Sequence, residues 1–122
     1  MLKQELAKTP DDTTLRLKKA ILLNLRGDFR AGEAETLFAL GEEPVKNLQY
    51  HHVAYDAACV YALAGKSEEA VKWLRETAAT GFPNYPLFER DPFLNRIRQT
   101  PEFIQFMAEM KAQFERYKRE FE

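Results

Sequence analysis

Two glycines, Gly27 and Gly65, lie 38 residues apart, and each ends a stretch in which apolar residues recur every three or four positions. Glycine readily adopts the left-handed backbone conformation that ends many helices. Residues before the two glycines match at the same offset: Ala20 with Ala58, Leu23 with Tyr61, and Leu25 with Leu63. A repeat of this length is typical of stacked helical hairpins, each burying one face on its neighbour. The sequence therefore predicts an all-α chain.

The second unit, residues 51–84, has small, aromatic and apolar residues at regular positions. They are Ala58, Tyr61, Gly65, Ala70, Val71, Trp73 and Leu74. This pattern resembles a tetratricopeptide (TPR) repeat, a helix-turn-helix unit of about 34 residues. Ser67 is expected to cap the second helix of this unit, with Glu68 and Glu69 in its first turn.

The first unit, residues 13–46, resembles the same repeat less closely. Its matching positions are Ala20, Leu23, Gly27, Asp28, Phe29, Ala39 and Pro44. It departs from the family pattern at Gly32, where the second helix usually has alanine, and at Arg16, where an aromatic residue is usual. Asp28 is expected to cap its second helix.

The pattern changes after Thr80. The segments Gly81-Phe82-Pro83-Asn84, Asp91-Pro92-Phe93-Leu94, Ile97-Arg98 and Pro101-Glu102-Phe103 follow one another. Together they resemble the segment that closes many bacterial TPR arrays, known as the TPR end-of-group. Asp91 and Thr100 each precede a proline, so each is expected to cap a helix that begins with that proline. Residues 85–122 are therefore predicted to form an end-of-group segment with a long terminal helix.

Residues 1–12 correspond to the end of a preceding repeat, with Pro10 where the repeat places its proline. Two readings are open: a half-repeat that covers the end of the stack, or a piece of a longer array. The predicted architecture is a single domain over 1–122, a short TPR-like helical-hairpin solenoid closed by a long C-terminal helix.

Composition restricts the classes of partner. The 122 residues suffice for one domain, and 18 basic against 19 acidic residues leave a net charge of −1. We therefore expect neither a nucleic-acid nor a membrane partner. The single cysteine, Cys59, cannot form an internal disulfide, and no apolar run has the length of a signal peptide or membrane span. These features predict a cytoplasmic protein.

The resemblance to TPR repeats implies a binding groove, because the first helix of each repeat lines a concave surface. The corresponding positions are Thr14, Leu17, Lys18, Ile21, Asn24 and Leu25 in the first unit, and His52, Tyr55, Asp56, Cys59 and Ala62 in the second. The implied function is binding of a protein or peptide partner. Alternatively, these residues face the terminal helix. A groove for chaperone carboxylate tails does not fit, because Leu17, Ile21 and Asp56 replace the cationic and amide residues of that clamp.

His52, Asp56 and Cys59 share a helical stripe, so a metal or Cys-His site is geometrically conceivable. A structural zinc site needs four ligands, however, and the apolar neighbours of Cys59 favour an inert, packed thiol. The chain also has no phosphate-binding glycine loop or hydrolase motif. We therefore predict a protein that is not an enzyme and has no cofactor.

The terminal helix has an apolar seam at steps of four and three: Phe103, Met107, Met110, Phe114, Tyr117 and Phe121. Two outcomes are open. The helix packs back along its own domain and buries the seam, or its end projects and Met110, Phe114, Tyr117 and Phe121 form a homodimer surface.

Overall fold

A computed structural model describes residues 12–41, 50–80 and 84–121 of the chain. These residues form helices and no strand, which confirms the predicted all-α class. In chain order the helices are α1 (Asp12–Leu25), α2 (Phe29–Gly41), α3 (Tyr50–Leu63), α4 (Ser67–Ala79), α5 (Tyr85–Arg90), a 3-10 helix (Pro92–Ile97) and α6 (Pro101–Phe121). The half-repeat predicted over 1–12 lies outside the described residues except for Asp12, and Pro44 and Phe82 lie outside them too.

The two glycines end α1 and α3 in the same way. Both have positive φ, +87° at Gly27 and +77° at Gly65. In each case the glycine N–H and the following N–H donate back into the last turn, the second bond reaching Leu23 O after α1 and Tyr61 O after α3. This is the Schellman motif, in which the left-handed residue is usually glycine. The matched residue pairs of the sequence therefore occupy equivalent places at two helix ends.

Three of the four predicted caps are present. The Asp28 carboxylate accepts from Ala31 N–H, the Asp91 carboxylate from Phe93 N–H, and the Thr100 hydroxyl from Phe103 N–H. The prediction for Ser67 is wrong. Ser67 is the first residue of α4, and its hydroxyl donates to Glu102 Oε1 on α6 at 3.0 Å.

Helix α3 lies at the centre of the described structure. It packs against α1, α2, α4 and the 3-10 helix, while α6 packs on α4 and α5. Close approach is possible because α3 presents small residues: Ala54, Ala57, Ala58 and Ala62 are fully buried. On the C-terminal side the core is completed by large side chains, chiefly Phe88, Leu94, Ile97, Phe103 and Phe106.

Candidate functional site

A cleft of about 770 Å³ opens between α1, α3 and the segment that contains α5 and the 3-10 helix. We call it the α1–α3 cleft. Its lining residues are Thr14, Lys18, Ile21, Leu22 and Leu25 from α1, His52, Tyr55, Asp56 and Cys59 from α3, and Leu87, Asp91 and Phe93 from the C-terminal segment. The cleft therefore combines residues that are distant in sequence.

Eight of the eleven predicted groove residues line this cleft: Thr14, Lys18, Ile21, Leu25, His52, Tyr55, Asp56 and Cys59. Ala62, another of the eleven, is fully buried on α3. The four residues from α3 come together because positions three, four and seven apart lie on one side of a helix. His52 stands at the exposed end of this stripe, and Cys59 is almost fully buried.

Leu17 and Asn24 lie elsewhere. The Leu17 side chain is fully buried with Ala39, Val53 and Ala57. Asn24 is buried too, and its Nδ2 donates to Val60 O at 2.6 Å. Helical periodicity places both residues near Ile21 on α1, but packing of α2 and α3 against α1 covers that side. Both have a structural role here.

The sequence reading missed Leu22, Leu87, Asp91 and Phe93 as cleft residues. The sequence predicts Asp91 only as a helix cap and does not place Leu22 in the groove. The resemblance to an end-of-group segment predicts only that residues 85–122 close the preceding helical hairpin. Nothing local to Leu87 or Phe93 indicates which side of α3 that segment reaches, because this depends on tertiary packing.

A polar network holds one wall of the cleft in place. The Tyr55 hydroxyl donates to Asp91 Oδ2, and Asp91 Oδ1 accepts from Phe93 N–H at 2.9 Å. Arg98 donates to the carbonyl oxygens of Phe88 and Asp91 at 3.1 and 2.7 Å. The Tyr55 ring also stacks on Phe88, with centroids 5.8 Å apart. Burial, with Cys59 and Asp91 nearby, raises the Tyr55 pKa, so the hydroxyl stays protonated and remains a donor.

Asp56 places a carboxylate deep in the cleft. Its side chain is 10% exposed, and both carboxylate oxygens lie 3.2 Å from Lys18 Nζ. Burial raises the Asp56 pKa, and the charge of Lys18 opposes this shift. The cleft therefore combines a buried carboxylate with an exposed lysine.

Cys59 is a protonated thiol in this setting. Burial, together with the negative charges of Asp91 and Asp56, raises its pKa well above the ordinary value. Among the described residues, no group of three or more histidine, cysteine, aspartate or glutamate side chains could hold a metal ion. The side chain of His51 lies outside the described ones.

The apolar seam of α6 is covered along part of its length. Phe103 is buried, Met107 and Met110 pack against the main core, and Phe114 contacts Tyr85 with ring centroids 5.7 Å apart. Beyond Phe114 every side chain described on α6 is exposed, and Tyr117 is 63% exposed. The side chain of Phe121 lies outside the described ones. The helix thus packs back as far as Phe114, and its last turns project.

No family model, curated protein or solved structure gives a significant match to the chain. Within the described part of the chain, none of the helices combines the length and apolar character needed to cross a bilayer.

Proposed function

We propose that this chain is a protein-interaction module that binds a peptide or helical segment of a partner protein in the α1–α3 cleft. One observation carries the proposal: exposed apolar side chains line a cleft that also contains the buried Asp56 carboxylate. Leu22 and Leu25 are 55% and 54% exposed there, and Leu87 and Phe93 face them from the C-terminal segment. Large apolar side chains grouped beside a concave surface are typical of interaction sites.

The packing order of the helices supports a TPR-like arrangement. Helix α1 packs on α2, α3 packs on α4, and α1 packs on α3, with little contact between α2 and α3. Stacked hairpins have this order when the first helices of successive units lie side by side. In this proposal α1 and α3 are the inner helices, and α5 with the 3-10 helix forms the closing segment of a bacterial end-of-group type.

The same proposal assigns no catalytic step and no cofactor to the cleft. The protonated Cys59 thiol lacks the electropositive surroundings that activate a nucleophile. A single cysteine kept as a buried thiol is also consistent with the proposed cytoplasmic location.

Leu25→Asp tests the binding proposal. A library of random 12-residue peptides displayed on phage is selected against the wild-type protein, and enriched peptides are synthesised. Because a leucine that contacts the peptide contributes apolar burial of about 1.5–3 kcal/mol when fully covered, we expect Leu25→Asp to weaken their binding at least tenfold in isothermal titration calorimetry.

Leu37→Asp is the matched control. Leu37 is 57% exposed on α2 and does not line the cleft, so it should leave the affinity unchanged. Failure to enrich any peptide, or equal affinity of Leu25→Asp and wild-type protein, contradicts the proposed function.

A second candidate function is self-association through the projecting end of α6. The exposure of this end beyond Phe114 favours it, because a second copy could cover an apolar face that follows the seam. We then expect light scattering to detect a dimer at tens of micromolar protein and Tyr117→Glu to give a monomer. Ile104→Glu, at another exposed apolar position of α6, should leave the dimer intact. A wild-type monomer at this concentration rejects the candidate.

A further inference from the structure

We infer that the partner segment carries a basic residue among aliphatic ones, and that its ammonium or guanidinium group pairs with Asp56 in the α1–α3 cleft. This inference rests on the proposed function and specifies the chemistry of the partner. Its basis is the distribution of charge and apolar surface within the cleft.

The charged residues of the cleft favour a cation. Among the described residues that line it, Lys18 is the one lysine or arginine, whereas Asp56 and Asp91 are both acidic. Lys18 is 59% exposed at the rim, while the Asp56 carboxylate is 10% exposed below it. The deep charge is therefore negative, and the two groups whose positive charge acts on it, Lys18 and His52, are both exposed.

Asp91 and Asp56 differ in how their carboxylates are bonded. Asp91 accepts from the Tyr55 hydroxyl and from Phe93 N–H, two donors fixed by the fold. Among the described residues, Lys18 is the donor to the Asp56 carboxylate, and its long, flexible side chain can leave the site. A carboxylate has about four acceptor positions, so Asp56 can accept further donors from an arriving cation.

The burial of Asp56 is unfavourable for the free protein. Removing a carboxylate from water is costly, and a solvent-exposed lysine compensates only in part. Burial is the largest cause of the raised pKa of Asp56, and this shift reflects the cost of burying the charged carboxylate. A partner cation that enters the cleft and is itself shielded from water would stabilise the carboxylate more strongly than Lys18 does.

The apolar surroundings specify the rest of the segment. Ile21, Leu22 and Leu25 lie on the α1 side of Asp56, and Leu87 and Phe93 lie across the cleft. Aliphatic side chains beside the basic residue would bury against both walls. An acidic residue at the same point would face Asp56 and Asp91, so acidic peptides should be rejected.

The phage-selected 12-residue peptides supply the probe. We expect those that lose binding to Leu25→Asp to share a lysine or arginine next to aliphatic residues. The synthetic consensus peptide is then compared with a version in which norleucine replaces lysine, which keeps a linear aliphatic side chain but removes the charge. The norleucine peptide should bind wild-type protein about tenfold more weakly and should bind Asp56→Asn as well as the lysine peptide does.

Two further variants separate this pairing from a structural effect. Lys18→Met removes the internal competitor for Asp56, so the lysine peptide should bind it more tightly than wild type. Glu68→Gln removes an exposed carboxylate of α4 outside the cleft. It should change neither the affinity for the lysine peptide nor the affinity for the norleucine peptide. Circular dichroism melts confirm that each variant is folded.

The outcomes distinguish the two proposals. Two results overturn the pairing but leave the binding function standing. In the first, the enriched peptides depend on Leu25 but lack a basic residue. In the second, replacing lysine by norleucine weakens binding to Asp56→Asn as much as it weakens binding to the wild-type protein. Failure to enrich any peptide overturns both.

Discussion

Gly32→Ala is expected to lower the free energy of unfolding by about 3 kcal/mol, although glycine-to-alanine changes within helices usually stabilise by about 0.5–1 kcal/mol. A Cβ atom at Gly32 would clash with Asn24 Oδ1 and lie 2.8 Å from Asn24 Cγ and 3.1 Å from Ala20 O. The Asn24 side chain would have to move, which breaks its bond from Nδ2 to Val60 O. A displaced, buried amide without a partner is destabilising by about 1–3 kcal/mol.

Urea denaturation followed by circular dichroism measures this effect, and Gly41→Ala is the control. Gly41 is also in α2, but no atom lies within 4 Å of its added Cβ, so its stability should be unchanged or slightly higher. Asn24→Ala in the Gly32→Ala background removes the clashing side chain. The double variant should therefore be more stable than Gly32→Ala alone. Equal stability of Gly32→Ala and Gly41→Ala would refute the steric explanation.

Asp91→Ala is expected to cost about 2–3 kcal/mol, because one carboxylate serves two purposes. Its Oδ1 caps the 3-10 helix through Phe93 N–H, and its Oδ2 accepts from the hydroxyl of the half-buried Tyr55. Removal leaves both donors without this acceptor and loosens the wall of the α1–α3 cleft. Tyr55→Phe retains the cap and should cost about 1 kcal/mol.

Asp28→Ala is the matched control for Asp91→Ala. Asp28 also caps a helix, but its bond to Ala31 N–H is exposed and 3.3 Å long. We expect a loss of about 0.5–1 kcal/mol, the lower end of the range for an N-cap. Similar losses for Asp28→Ala and Asp91→Ala would mean that the bond to Tyr55 contributes nothing to stability.

Gly32 stands at a position where the proposed TPR-like pattern usually has alanine. The structure gives a physical reason for glycine at this position. The Asn24 side chain occupies the space that the methyl group of alanine would take. Asn24 itself was predicted to line the groove, because its helical position fits. Its bond to Val60 O depends on the approach of α1 to α3, which periodicity does not report.

Helix ends and caps can be predicted from the sequence where the interaction that forms them spans only a few residues. Gly27 and Gly65 end their helices because the left-handed backbone conformation has little free-energy cost for glycine. Asp28, Asp91 and Thr100 cap theirs because the side-chain acceptor and the backbone N–H it accepts from are at most three residues apart. Ser67 has a side chain that could cap a helix, but its hydroxyl donates instead to Glu102 on the distant helix α6. The short helix α5, capped by Asn84, was not predicted, although an asparagine two residues before Pro86 was an available signal.

The residue pattern was therefore enough to predict the all-α class, the ends of α1 and α3, and the stripe of α3 that carries His52, Tyr55, Asp56 and Cys59. Each follows from backbone preference or helical periodicity within a few residues. Packing between distant segments places Leu17 and Asn24 in the interior, brings Asp91 to Tyr55 and covers the α6 seam as far as Phe114. These outcomes depend on which helix covers each face, and that is settled by packing between segments far apart in the chain.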